Sequence, residues 1–118
     1  MPPRYLRRVK VPDVEQAVVD PAKVRDDLLS PSHPVGRFKS QFFVRLGYSQ
    51  EQWEVLAGEL KRHAEDGSAT EGEPSPYGKK FEVRGKLVGP SGRAANIISI
   101  WIILHGKDAP RFVTAFPG

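Results

Sequence analysis

The residues of this sequence able to do chemistry are cationic or hydroxyl-bearing. His33, His63 and His105 fall in a turn, at a helix end and in another turn, with no carboxylate cluster beside them, so no metal site is expected. The 118 residues include no cysteine, which excludes disulfides, thiolate zinc sites and cysteine nucleophiles. The chain has no phosphate-cradling Gly-rich loop, no His-Glu-x-x-His pair and no Gly-x-Ser-x-Gly elbow. Nucleotide-driven and zinc-peptidase chemistry are therefore not expected, and no cofactor is implied. What remains open without a metal is RNA cleavage by attack of the 2′-hydroxyl. It needs a base for that hydroxyl, an acid for the leaving 5′-oxygen and cations facing the crowded phosphate. His33, Lys39, His63, Tyr77, Lys80, Arg84, Arg93, Arg111 and Thr114 are residues of the right types.

Each also has a plain structural reading. His33 can brace the His-Pro turn, and His63 suits the end of a helix through the dipole when protonated. Lys80 and Arg84 on an outward strand face can be solvated only. Arg93 can satisfy turn carbonyls, and Thr114 suits a strand through its β-branch. Trp53 and Trp101 read as core rather than as stacking platforms.

The net charge is +4 and unevenly spread. Residues 1–64 carry eleven bases against eight acids. Glu65, Asp66, Glu71 and Glu73 give residues 65–76 four acids and no base, and residues 77–118 carry seven bases against two acids. A basic C-terminal third attracts phosphate backbones or acidic partners.

The elements that must position these groups follow from periodicity and punctuation. Residues 1–8 read as a flexible basic arm and 9–118 as one domain. Asp20-Pro21 opens a short helix to Leu29 with Val24 and Leu28 on one face. Ser32 to Gly36 is a turn. A second helix from Arg37 to Leu46 repeats Phe38, Phe42 and Leu46 at a spacing of four and closes at Gly47. Ser49 and Gln52 form a capping-box signal for a third helix, with Trp53, Leu56, Leu60 and Ala64 on one stripe. The helical half thus spans 20–64. Residues 65–76, acidic and without a large apolar side chain, read as a mobile loop.

The β half spans 77–117. Phe81, Val83 and Leu87 face one way along a first strand, and Lys80, Glu82, Arg84 and Lys86 the other. Gly89 to Gly92 turns. Ala94 to Leu104 reads as a central strand covered on both faces. In a last strand, Arg111 to Phe116, alternation puts Phe112, Thr114 and Phe116 on one face. The fold class is α+β, N-terminal helices packed on a C-terminal antiparallel meander of three to four strands. The longest nearly apolar run, Ile97 to Leu104, is too short to span a membrane. With no secretory signal in the basic N-terminus and no cysteine, the expected compartment is the cytoplasm.

Two blocks resemble a family of small uncharacterised bacterial proteins. The first holds Asp20-Pro21, Leu28-Leu29, His33-Pro34-x-Gly36, Lys39, Phe42-Phe43, Gly47, Trp53 and His63. The second holds Tyr77-Gly78-x-Lys80-Phe81, Gly85-x-Leu87, Gly89-Pro90-x-Gly92-Arg93, Ile100-Trp101 and Pro110 to Pro117. In size, element order, basic charge and the closing Arg-x-Val-Thr-Ala-Phe-Pro strand, the chain is similar to the metal-independent ribonuclease toxins of the barnase, EndoU, colicin and RelE group. That resemblance implies catalytic roles for Arg111 and Thr114, with His33 and His63 as acid or base. It implies acid, base or phosphate contact from Lys39 or Lys80 as well, and Arg84 and Arg93 are expected by type to add RNA or phosphate contacts. No residue is a clear counterpart of the barnase-type Glu and His pair.

Two functions are therefore expected. One is a toxin-like ribonuclease acting on RNA through a basic sheet face, paired with a cognate antitoxin or immunity protein. The other is a non-catalytic protein-binding module of the antitoxin, immunity or adaptor kind. The basic third favours the first, and the lack of a catalytic constellation favours the second.

Overall fold

Asp20 caps the first helical segment as its type requires. Its Oδ1 accepts the Ala22 N–H at 2.9 Å, and Pro21 follows in helical conformation. The computed structural model describes residues 8–31, 37–73 and 75–118, apart from the side chains of Arg8, Arg37 and Phe38. The segment Ala22–Leu28 is wound as a π-helix, with the Leu29 N–H bonded to the Val24 carbonyl at 2.9 Å, and it buries Val24 and Leu28. Before it lie a two-residue strand β1 (Arg8–Val9) and a 3₁₀ turn (Val14–Gln16). The expected turn at 32–36, with His33 in it, lies outside the described residues.

Helix α1 spans Arg37–Arg45 and α2 spans Trp53–Asp66. Ser49 Oγ accepts the Gln52 N–H at 3.3 Å, but the α ladder starts only at Trp53, because the intervening residues form a tighter turn closed by the Val55 N–H on the Gln52 carbonyl. Leu56, Leu60, His63 and Ala64 form the buried stripe of α2, while Trp53 at its first turn is only half-buried.

Between α1 and α2, Gly47 takes a positive φ of 102°, and a Cβ there would stand 2.5 Å from the Ser91 backbone nitrogen. The Leu46 carbonyl accepts from both the N–H and the hydroxyl of Ser91, which pins the end of α1 to the turn at 89–92. Only glycine meets both conditions.

The sheet has five antiparallel strands in sequence order: β1, β2 (Ser68–Glu71), β3 (Gly78–Val88), β4 (Ala94–Leu104) and β5 (Arg111–Pro117). Its inner face packs Phe81, Val83, Leu87, Ile97, Trp101, Phe112 and Ala115 into one core with Phe43, Leu56 and Leu60 of the helices. The α+β class holds, with a four-strand meander extended by β1 at one edge.

Three local expectations are corrected. Residues 65–76 are not one loop: α2 continues to Asp66, and Ser68–Glu71 pairs with β1 on one side and β3 on the other. Ladder bonds on both edges, with the small Ala69 buried beneath, hold this strand without a large apolar anchor. Strand β4 is paired on both sides but lies second from the edge, and its outer face is covered only in part: Ile98 is buried like Ile97, Ser99 and Trp101, whereas Ile100 and Ile102 are half-buried.

Finally, the faces of β5 are not those of strict alternation. Trp101 pairs with Phe112 but Ile100 pairs with Thr114, so Val113 is an extra residue in a bulge. The bulge resets the period, placing Phe112 and Ala115 in the core and Thr114 and Phe116 on the outer face.

Candidate functional site

Across the outer face, three rungs run from β3 through β4 to β5. They are Lys80–Ile102–Arg111, Glu82–Ile100–Thr114 and Arg84–Ile98–Phe116, because antiparallel partners share a face. An isoleucine stripe thus lies between a charged row and the last strand. A groove of about 690 Å³ opens here, lined by Lys80, Glu82, Ile100, Val113 and Thr114 of the strands together with Glu73, Ser75 and Tyr77.

Lys39 of α1 joins this face. Its Nζ donates to Thr114 Oγ1 at 3.0 Å in a half-buried contact. Thr114 is therefore a fixed hydroxyl beside a cation, one rung from Arg111 and Lys80. Arg84 is exposed and sits 3.8 Å from the Glu82 carboxylate, which draws its charge toward that neighbour. The structure thus brings Lys39, Lys80, Arg111 and Thr114 to one surface, with Arg84 on the adjoining rung.

His63 is elsewhere. It is 4% exposed and packs on the core side of the sheet. Nε2 donates to the Gly85 carbonyl at 3.2 Å, since a carbonyl can only accept, which leaves Nδ1 to accept the Ser99 hydroxyl at 2.9 Å. Ser99 Oγ in turn accepts the Trp101 indole N–H at 2.9 Å. The ring nitrogens of His63, the Ser99 hydroxyl and the Trp101 indole N–H are all satisfied with a neutral imidazole. Burial pushes the His63 pKa below its ordinary value, against the smaller upward pull of the Gly85 and Ile97 carbonyls. The dipole reading of a charged His63 gives way to a neutral one that ties α2 to β3 and β4.

Arg93 is exposed in the turn between β3 and β4, nine register positions from the Lys80 rung, or about 30 Å along the strands. His105 lies at the Leu104–Asp108 turn beside Lys79 and Lys107. His33 lies outside the described residues. Among the described residues no group of three or more His, Asp or Glu stands close enough to hold a metal ion, and no helix is long and apolar enough to cross a membrane.

Two contributors escaped sequence reasoning. Ser99 shows no signal in a β-branched run. The outward isoleucines at 98, 100 and 102 do carry a period of two, which the equally apolar inward residues masked.

Comparison with known proteins bears on most of the chain. Residues 10–118 match the model of a family described as "Domain of unknown function (DUF6883)". No curated protein matches the sequence. Among solved structures, a chain of the "Contact-dependent growth inhibition toxin - immunity protein complex from Klebsiella pneumoniae 342" is similar, with a TM-score of 0.66 at 22% identity, covering 88% of this chain and 95% of that chain. At that identity the likeness is one of fold.

Proposed function

The chain belongs to the DUF6883 family of domains of unknown function, and within it we propose a toxin-type module that cleaves RNA on the outer sheet face without a metal. The observation that carries this reading is the Lys39–Thr114 contact beside Lys80 and Arg111. In the proposed reaction the RNA 2′-oxygen attacks the adjacent phosphorus and the 5′-oxygen leaves, giving a 2′,3′-cyclic phosphate. The 2′-hydroxyl proton passes to a base, and an acid protonates the leaving oxygen.

Thr114, oriented by Lys39, donates to a phosphate oxygen, while Lys39, Lys80 and Arg111 offset the developing charge. Arg84 and Arg93 extend the contact with the RNA backbone. His33, six residues before Lys39 in sequence, is assigned the proton transfer that His63, locked in the core, is not placed to perform. A fold shared with one chain of a toxin–immunity complex supports a toxin- or immunity-type module with a cognate partner protein.

One observation favours a second reading, an immunity-type protein-binding module. The half-buried Ile100 and Ile102 of β4 leave apolar surface on the outer face, of the kind partners bury.

The discriminating experiment is incubation of the purified protein with total RNA and tRNA in excess chelator, wild type against Arg111→Ala and His33→Ala. Cleavage lost in both variants with unchanged melting supports the ribonuclease. Intact RNA at high protein concentration, with no salt-dependent RNA binding, leaves the protein-binding module.

A further inference from the structure

We propose that Tyr77 is a stacking platform for one unpaired base, making the outer groove selective for single-stranded RNA; this rests on the RNA reading above. Tyr77 is 71% exposed, whereas every other described aromatic ring is buried or half-buried, Tyr48 for example at 3%. A ring left in water forgoes the stabilisation that burial would give it. Its place in the fold is nevertheless fixed. The Tyr77 N–H donates to Ser75 Oγ at 3.1 Å and its carbonyl accepts the His105 N–H at 3.0 Å. The backbone that carries the ring is therefore held at the mouth of the groove and needs little ordering on binding.

The surroundings decide what lies against it. Ile100 and Val113 give that part of the groove an apolar wall, and Glu73 and Glu82 repel phosphate there. Lys80 lines the same groove, with Arg111 on its rung and Lys39 bonded to Thr114 on the next, so the cations flank the apolar wall. A nucleotide meets both demands when its base lies against Tyr77, Ile100 and Val113 and its phosphate reaches the cations. An aromatic ring combined with a cationic track is the arrangement that binds single strands through base faces. In an A-form duplex those faces are occupied by neighbouring bases, so Tyr77 has nothing to stack on.

The test measures binding of the full chain to a fluorescein-labelled single-stranded 2′-O-methyl oligonucleotide, which cannot be cleaved, and to a duplex of equal length, by anisotropy at one fixed salt concentration. Tyr77→Ala is expected to weaken single-strand binding by roughly 5- to 100-fold. Tyr77→Phe should stay within about twofold of wild type because the π-face is kept, and duplex binding should be insensitive to both. Unchanged single-strand affinity in Tyr77→Ala overturns the platform and leaves the RNA reading standing. Equal losses on single strand and duplex overturn it too, since they mark a general disturbance of the face. If wild type neither binds the oligonucleotide nor cleaves RNA, the ribonuclease reading falls and the platform with it.

Discussion

Lys39 and Thr114 are 75 positions apart in sequence and 3.0 Å apart in space, the ammonium of α1 donating to the hydroxyl of the last strand. The bulge at Val113 makes this possible, because without it Thr114 would take the opposite face of β5.

If these two groups act as one unit on a phosphate, Thr114→Val and Lys39→Met each lower RNA cleavage by about 10²-fold, the scale for removing one donor to a developing charge. The double variant should be no worse than the weaker single one. The stability change should be about 1 kcal/mol, the net value of a hydrogen bond, read by urea unfolding. Additive losses would show that the two groups act independently, and unchanged cleavage in both variants would show that the contact is structural only.

His63 predicts a pH dependence of stability. Its folded pKa lies below the ordinary value of 6.5, so the unfolded chain binds the proton more readily. The stabilisation is then fully present above about pH 6.5 and is lost as pH falls through the folded value. The urea midpoint of wild type should drop between pH 7 and pH 5. In His63→Leu, which cannot protonate, that part of the slope should vanish. Parallel pH profiles would refute the buried neutral imidazole.

The two tryptophans should separate. Trp101 is fully buried, packs edge-on against Phe112 at 5.4 Å and holds Ser99 in the His63 chain. Trp101→Ala should cost about 3–5 kcal/mol, whereas half-buried Trp53→Ala should cost less, on the order of 1–2 kcal/mol. Denaturant unfolding of both variants checks the order.

Gly47 and Gly92 both have positive φ, but only Gly47 faces backbone, 2.5 Å from Ser91 N. Gly92→Ala should cost about 1 kcal/mol for the left-handed conformation alone. Gly47→Ala should cost more than that, with the added separation of α1 from the turn at 89–92. Thermal melts of the two variants in one buffer make the comparison.

Much of this fold is legible along the chain because its signals are local. The Asp20-Pro21 start, the Leu56–Leu60–Ala64 stripe, the Gly47 stop and the period of two from Phe81 to Leu87 each depend on neighbours within one or two turns. Strand β2 is not legible, since Ser68 to Glu71 has little strand propensity of its own and is held by partners on both sides. The site was legible as a set of residue types and not as a place. Lys39, Lys80, Arg111 and Thr114 meet on one face, while His63 and Arg93, equally plausible by type, do not join them.

The sequence by itself determined the class: helices, then a meander, with a basic strand face and no cysteine. Residue type, capping and hydrophobic period act over a few positions, and they suffice for that. Tertiary structure alone decided which face Thr114 takes and that Lys39 reaches it. It also decided that His63 sits neutral between Gly85 and Ser99. Register, a one-residue bulge and burial are set by contacts between residues tens of positions apart, which no local pattern encodes.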